Sequence, residues 1–253
     1  MKIITIANEK GGIGKTTTAT AMASILASKG YKTLFIDADP QCNSTDTYKA
    51  VIDGVETLYD VLLEDDGKRV SFNDAVQHTE NGDIIAGDEL MKRAKIILQG
   101  DELYRTKEQL EQLKGYDYVV IDTNPGYDEI RTSFLYASDD VIIPIFPDRY
   151  SLQGLKNLYN IVNRIKTRVN PKLNIAGILL VKYARNQILS KDAVQFLTNT
   201  APQMGTSLFN AKIREASAVK HAQAARKHLI DYDKKSTAAE DYIAFVDEYL
   251  KGR

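Results

Sequence analysis

The chain has 253 residues, 43% of them hydrophobic and 26% charged, with a net charge of −1. These are ordinary values for a globular protein with a sizeable core, and no apolar run approaches the roughly 18 residues of a membrane-spanning helix. The single cysteine, Cys42, excludes an intramolecular disulfide and a cysteine-rich metal site.

Residues 1–6 are too short and too soon interrupted for a secretory signal, so the expected compartment is the cytoplasm. The near-neutral total hides an asymmetry. Residues 1–148 carry a net −11, residues 149–228 a net +12, and the last 25 residues a net −2. A basic block of that size inside a neutral chain is the footprint of polyanion binding, with solvated helix surfaces as the plain alternative.

In chain order, residues 2–8 (KIITIAN) form a short β-branched strand that ends in a glycine-rich turn. Residues 16–29 read as a helix, with Ala19, Met22, Ala23 and Leu26 at helical spacing and Gly30 as the stop. Residues 33–36 (TLFI) are a continuous apolar run, the pattern of a strand covered on both faces. Residues 118–121, 141–145 and 175–181 are further buried strands. Residues 57–63, 151–168, 191–199 and 237–250 are helices. This alternation predicts an α/β fold, with one domain over residues 1–253 and a mostly parallel twisted sheet carrying helices on both faces. Residues 64–115, polar and charged, are expected to form a helical excursion on the sheet edge. His78, His221 and His228 lack metal-ligand spacing and read as surface residues. Cys42 reads as a small filler rather than a nucleophile.

The first strand runs into Glu9-Lys10-Gly11-Gly12-Ile13-Gly14-Lys15-Thr16-Thr17. Glycines at 11, 12 and 14 let the backbone N–H groups through Ile13 curl into an anion-binding nest, and the helix that follows aims its positive end at the same point. Lys15 supplies a point charge for β- and γ-phosphate oxygens, and the Thr16 hydroxyl suits Mg2+, with Thr17 beside it. The standard spacing wants glycine at position 9, where Glu9 stands. Lys10 adds a second lysine, too early in the loop to fold back onto the phosphates that Lys15 serves. It is expected to point outward, toward a nucleotide bound by a second subunit.

Asp37 and Asp39 close the second buried strand, at the sheet edge where open α/β folds bind ligands. Two residues apart, they share a face while the strand lasts, and Pro40 fixes the exit. Capping of the next helix is the plain alternative. Residues 116–123 (YDYVVIDT) are a second buried strand ending in an acid, so Asp122 is expected to hold Mg2+, directly or through water. Asp117 reads as a solvent-facing strand start.

The loop KGGIGKTT resembles the variant P-loop of the ParA/MinD family of ATPases, and residues 37–41 (DADPQ) are similar to that family's DxDPQ signature. The resemblance implies that Lys10 crosses a dimer interface to the partner's nucleotide. It also implies that Asp39 orients the attacking water and that Asp37 lies near the metal. The family's DxPP continues here as Asp122-Thr123-Asn124-Pro125, with Asn124 in the first proline's place, so the switch loop at 123–127 is expected to move differently. Residues 137–145, 150–155 and 232–250 also look like family elements.

Residues 208–216 (LFNAKIREA) are similar to a stretch with a PRN…EA pattern, which implies adenine contact by Asn210. Leu208 and Phe209 replace the proline and the DNA-binding arginine. Lys212, Arg214, Lys220, Arg226, Lys227 and Arg185 are therefore expected to supply DNA phosphate contacts, which need only positive charge within reach.

What the resemblance implies as a whole is a Mg2+-dependent ATP hydrolase of the short type, without an N-terminal helix-turn-helix region. Its homodimer sandwiches two ATP molecules, binds DNA non-specifically in the ATP state and drives partition of plasmid or chromosomal DNA. A ParB-like centromere-binding partner stimulates hydrolysis, and localisation is cytoplasmic and nucleoid-associated. Residues 243–250 place acids on the polar face of the last helix, the wrong charge for an anionic membrane. One alternative is an ATPase of the same fold that positions a protein complex. A metabolic P-loop ligase or kinase is another, and Lys10 speaks against it.

Overall fold

The computed structural model describes residues 1–63, 70–93, 100, 102–126, 129–184 and 186–252, without the side chains of residues 149–153. Eight strands make one sheet: β1 (Lys2–Ile6), β2 (Thr33–Ala38), β3 (Val76–Thr79), β4 (Gly82–Ile85), β5 (Tyr118–Thr123), β6 (Asp140–Ile145), β7 (Asn174–Tyr183) and β8 (Leu208–Arg214). Their order is β3-β4-β2-β5-β1-β6-β7-β8. Every neighbouring pair is parallel except the antiparallel β3–β4 hairpin. From β1 the chain crosses to β2 on one side, and β6 to β8 fill the other. The strand order therefore reverses at β1, which opens a crevice at the carboxyl ends of the central strands.

Among the described residues the α-helices are α1 (Lys15–Ser28), α2 (Asn43–Tyr48), α3 (Leu58–Leu62), α4 (Glu102–Gln112), α5 (Glu129–Ala137), α6 (Arg149–Arg168), α7 (Ile188–Thr200), α8 (Ser217–Ala224), α9 (Leu229–Tyr232) and α10 (Thr237–Lys251). The pleat sends successive strand residues to opposite faces. Ile4, Ile6, Phe35 and Val120 pack on one face with Met22 and Leu26 of α1 and with Phe245 and Val246 of α10. Ile3, Leu34, Ile36 and Val119 pack on the other with Leu58, Leu110 and Phe134. Farther along that second face, Val141, Ile143 and Ile178 meet Leu155, Leu158 and Val162 of α6 and Leu197 of α7. Among the described residues, no helix is long and apolar enough to cross a membrane.

Two expectations are corrected here. Residues 64–115 do not form a purely helical excursion. Residues 76–85 extend the sheet as the β3–β4 hairpin, with β4 parallel to β2, and among the described residues of this stretch Glu102–Gln112 is the one long helix. His228 is not a surface residue. It is 3% exposed, its Nε2 meets the Asn81 carbonyl at 2.8 Å, and its ring packs edge-on against Tyr48.

The β8 edge is closed by α10. The Glu248 carboxylate accepts the backbone N–H groups of Asn210 and Ala211 at 2.7 and 2.9 Å, which blunts an exposed row of strand donors. Gly177 of β7 permits this corner to form, because a Cβ there would lie 2.3 Å from the Phe209 ring, and that ring packs edge-on against Phe245. Gly177→Ala is therefore expected to destabilise the protein by about 1–3 kcal/mol, the usual penalty for overpacking a core, read as a lower urea midpoint with an unchanged slope. An unchanged midpoint would contradict the packing described.

Candidate functional site

The turn between β1 and α1 reverses tightly because Gly12 and Gly14 adopt left-handed φ values of 69° and 98°, which residues with a side chain rarely occupy. Asn8 braces the turn from below. Its Oδ1 accepts the Lys10 N–H at 3.0 Å and its Nδ2 donates to the Pro144 carbonyl at 2.7 Å. The Lys182 ammonium donates to the Gly12 carbonyl at 2.8 Å, and the Gly126 N–H donates to the Glu9 carbonyl at 3.0 Å. Inside the loop, Lys15 is only 5% exposed and donates to the Lys10 carbonyl at 2.9 Å. Burial lowers its pKa, Asp122 and Asp39 oppose that shift, and Arg131 adds to it.

Asp37 and Asp122 face each other in register on the adjacent strands β2 and β5, both fully buried. Asp37 accepts the backbone N–H and the hydroxyl of Thr45, each at 2.7 Å, and the Asp39 N–H at 3.2 Å. Asp122 Oδ2 accepts the Ser44 hydroxyl at 2.9 Å, while its Oδ1 is buried with no partner. Burial is the first cause that pushes both carboxyls above the usual carboxylate range; the Asp37 charge adds to the rise at Asp122, and the Asp39 charge adds to it at both. The Ser44 and Thr16 hydroxyls oppose this at Asp122. Asp39, 7% exposed, has its Oδ1 fixed by the Gln41 N–H at 3.0 Å.

A partnerless buried carboxylate oxygen beside a second carboxylate and a threonine hydroxyl fits a hard divalent cation. Among the described residues no three Asp, Glu, His or Cys side chains gather into a full metal cage. Mg2+ does not require one, since it takes one or two carboxylates and completes its shell with water and phosphate.

The loop and Asp39 open onto a cavity of about 610 Å³ whose lining also includes Ile213, Ala216, Val219 and Tyr242, while Asp37 and Asp122 lie buried behind it. The structure brings Gly11, Gly12, Ile13, Gly14, Lys15, Thr16, Thr17 and Asp39 together on its lining. Lys10 is directed elsewhere. Its ammonium pairs with Asp148 at 2.5 Å and lies 5.8 Å from the centroid of the Phe146 ring. Asn210 does not line the cavity, contrary to expectation. Its amide donates to Glu248 at 2.9 Å, an acid 38 residues away in sequence.

Three of the six cations expected at DNA are held by local partners. Arg214 is clamped by both carboxylate oxygens of Asp241, at 2.7 and 2.8 Å, and Arg226 pairs with Asp46 at 2.8 Å. Lys212 donates to the Asn210 carbonyl. Lys220 and Lys227 line the cavity, and Arg185 lies outside the described residues. Tyr127 of the expected switch loop also lies outside them, while Pro125 reaches the cavity lining. Cys42 is half-buried and its thiol is pushed up to about 12 by burial and nearby acids, which keeps it protonated and unreactive.

Ser44, Thr45 and Gly87 were not anticipated. Thr45 links Asp37 to the Gly87 N–H, and a Cβ on Gly87 would come within 2.9 Å of the Asp37 carbonyl oxygen. The only sequence signal for Ser44 and Thr45 is the polar run that follows Pro40, and Gly87 carries none.

The sign of the pH dependence follows from the two raised carboxyls. A group with a raised folded pKa holds its proton longer in the folded state, so stability is greatest at low pH and falls as pH rises above about 4, the ordinary carboxylate value, through the raised values. Protein without nucleotide or metal is therefore expected to lose thermal stability between about pH 5 and pH 8, and Asp122→Asn is expected to flatten that fall. A melting temperature independent of pH in the unsubstituted protein would contradict the buried pair.

The family described as the AAA domain matches residues 1–175. The chain is 32% identical to the chromosome partitioning protein ParA of Caulobacter vibrioides, covering 99% of this chain and 94% of that one. It is 33% identical to the sporulation initiation inhibitor protein Soj of Bacillus subtilis, with 98% and 97% covered. Among solved structures it is similar to an ATP complex of an aspartate-to-alanine variant of Cyanothece McdA, with 26% identity, a TM-score of 0.86, and 99% and 96% covered. With the variant phosphate loop at 10–17 and the buried acids that face it, the chain belongs to the ParA family of partition ATPases.

Proposed function

We propose that this protein is a Mg2+-dependent ATPase that closes into a dimer around two ATP molecules. In that state it holds DNA without sequence preference, and it drives partition of plasmid or chromosomal DNA. Hydrolysis by the cytoplasmic, nucleoid-associated dimer is stimulated by a ParB-like centromere-binding partner. The observation that carries the reading is the buried Asp37–Asp122 pair beside Lys15, with one Asp122 oxygen left without a partner, next to a left-handed glycine loop.

The loop N–H groups and the amino end of α1 receive the phosphates. Lys15 exchanges its bond to the Lys10 carbonyl for phosphate oxygens. Thr16, Asp122 and Asp37 are the residues that would hold Mg2+, which neutralises charge on the phosphoryl oxygens. Asp39, oriented by the Gln41 N–H, positions the attacking water. The apolar wall of Ile213, Ala216 and Val219 takes the base in place of Asn210. Lys10 must leave Asp148 to reach a partner's nucleotide. Such a partly exposed pair is worth about 0–1 kcal/mol, less than the charge-assisted bond to phosphate that replaces it.

Lys15→Ala is expected to weaken ATP binding roughly 10–150-fold, the worth of a charge-assisted hydrogen bond of about 1.5–3 kcal/mol, and an unchanged affinity by calorimetry would remove Lys15 from the site. Asp39→Ala is expected to keep ATP binding and stop turnover. That variant is expected to bind a random-sequence duplex with ATP-Mg2+ and not with ADP, weakening steeply with salt. Equal binding in both nucleotides would contradict the gating. Absent DNA binding, with ATP-dependent dimerisation intact, would move the cargo from DNA to a protein complex.

A further inference from the structure

We propose that the solvent face of α6 (Arg149–Arg168), continued by Lys172, is the surface that grips the DNA backbone. The proposal rests on the DNA-binding reading above and places the contact on cations other than the six named earlier. Residues 149–191 contain nine lysines and arginines and no aspartate or glutamate. Within α6, Leu155, Leu158, Val162 and Ile165 are buried, a spacing that fixes one side of the helix to the sheet. The opposite arc therefore carries Lys156, Asn160, Asn163, Arg164 and Arg168, all exposed.

The state of these charges separates them from the other cations. Lys10, Lys29, Arg214 and Arg226 each sit on a carboxylate. Lys156, Arg164, Arg168 and Lys172 form no ion pair among the described residues, and no acid lies near them in sequence. The acids of α10 are engaged, Asp241 with Arg214, Asp247 with Lys29 and Glu248 with the β8 N–H groups, whereas α6 carries no acid that could neutralise its cations. In α6, Arg164 and Arg168 stand one turn apart with like charge, an arrangement that slightly destabilises a helix. Cations in a last turn do favour the helix dipole. That accounts for Arg168 and leaves Lys156 and the two asparagines unexplained.

The dimensions fit a duplex. Lys156 and Arg168 are twelve residues apart, about 18 Å along a helix axis, and the major groove of B-DNA is about 12 Å wide. Cations at the two ends can therefore reach phosphates on both sides of the groove while Asn160 and Asn163 face into it, as amides do at phosphates and base edges. The same helix adjoins the phosphate loop, since Asp148, just before it, holds Lys10 and the Asn157 amide lies 3.4 Å from the Glu9 carboxylate.

The test is a salt series of duplex binding in a non-hydrolysable ATP analogue and Mg2+. It compares unsubstituted protein, Lys156→Gln/Arg164→Gln/Arg168→Gln, and a control with equal charge removed outside the basic block, Lys32→Gln/Lys107→Gln/Lys114→Gln. The α6 variant is expected to keep ATP affinity and dimerisation, to lose at least tenfold in DNA affinity, and to lower the log–log salt slope by about 3 per protomer. The control is expected to match the unsubstituted protein. Equal losses in both variants, or an α6 variant with the full slope, would overturn the inference; the latter outcome leaves this face to an acidic protein. Unsubstituted protein that binds no DNA in any nucleotide state would overturn the DNA-binding reading itself, and this inference with it.

Discussion

Two carboxylates buried opposite each other on neighbouring parallel strands are the constraint around which the rest of the molecule is arranged. The β2–β5 register sets Asp37 against Asp122, where a fold selected for stability alone would place aliphatic side chains. Removing ionised groups from water is costly unless each is paired and hydrogen-bonded. The surroundings meet only part of that demand. Ser44 and Thr45 at the start of α2 donate to the two acids, Lys15 stands close by, and one Asp122 oxygen has no partner. A local violation of packing rules that the neighbouring structure only half compensates is what a binding site looks like before its ligand arrives.

The same economy explains the loop. Lys15 is turned onto a carbonyl of its own loop and Lys10 onto Asp148, so neither lysine is left unsatisfied, yet each holds a bond that phosphate oxygens can replace. The two side chains diverge. Lys15 lines the cavity and Lys10 does not, so a single subunit directs one lysine at the phosphates and turns the other outward. In that sense the cleft is half of a site.

Much of this was legible in sequence because it is local. Glycine spacing, a following helix and hydrophobic strands ending in acid are all written within a few residues, and the crevice then follows from strand order. What escaped depends on partners far along the chain. Asn210 matches a family position, but Glu248 claims its amide and two strand donors. Arg214 and Arg226 look available in a basic block until Asp241 and Asp46 arrive from elsewhere. The β3–β4 hairpin has strands of only four residues, too short for a clear periodicity, and β8 holds its place as an edge strand through α10.

The claim that most needs testing is that Lys10 acts across a subunit boundary. Sedimentation velocity of Asp39→Ala and of Asp39→Ala/Lys10→Ala, each saturated with ATP-Mg2+ and then with ADP-Mg2+, tests it directly. The single variant should sediment as a dimer in ATP and as a monomer in ADP, and the double variant should remain a monomer in both while still binding ATP. A double variant that dimerises as readily as the single one would contradict the assignment of Lys10 to the partner's nucleotide.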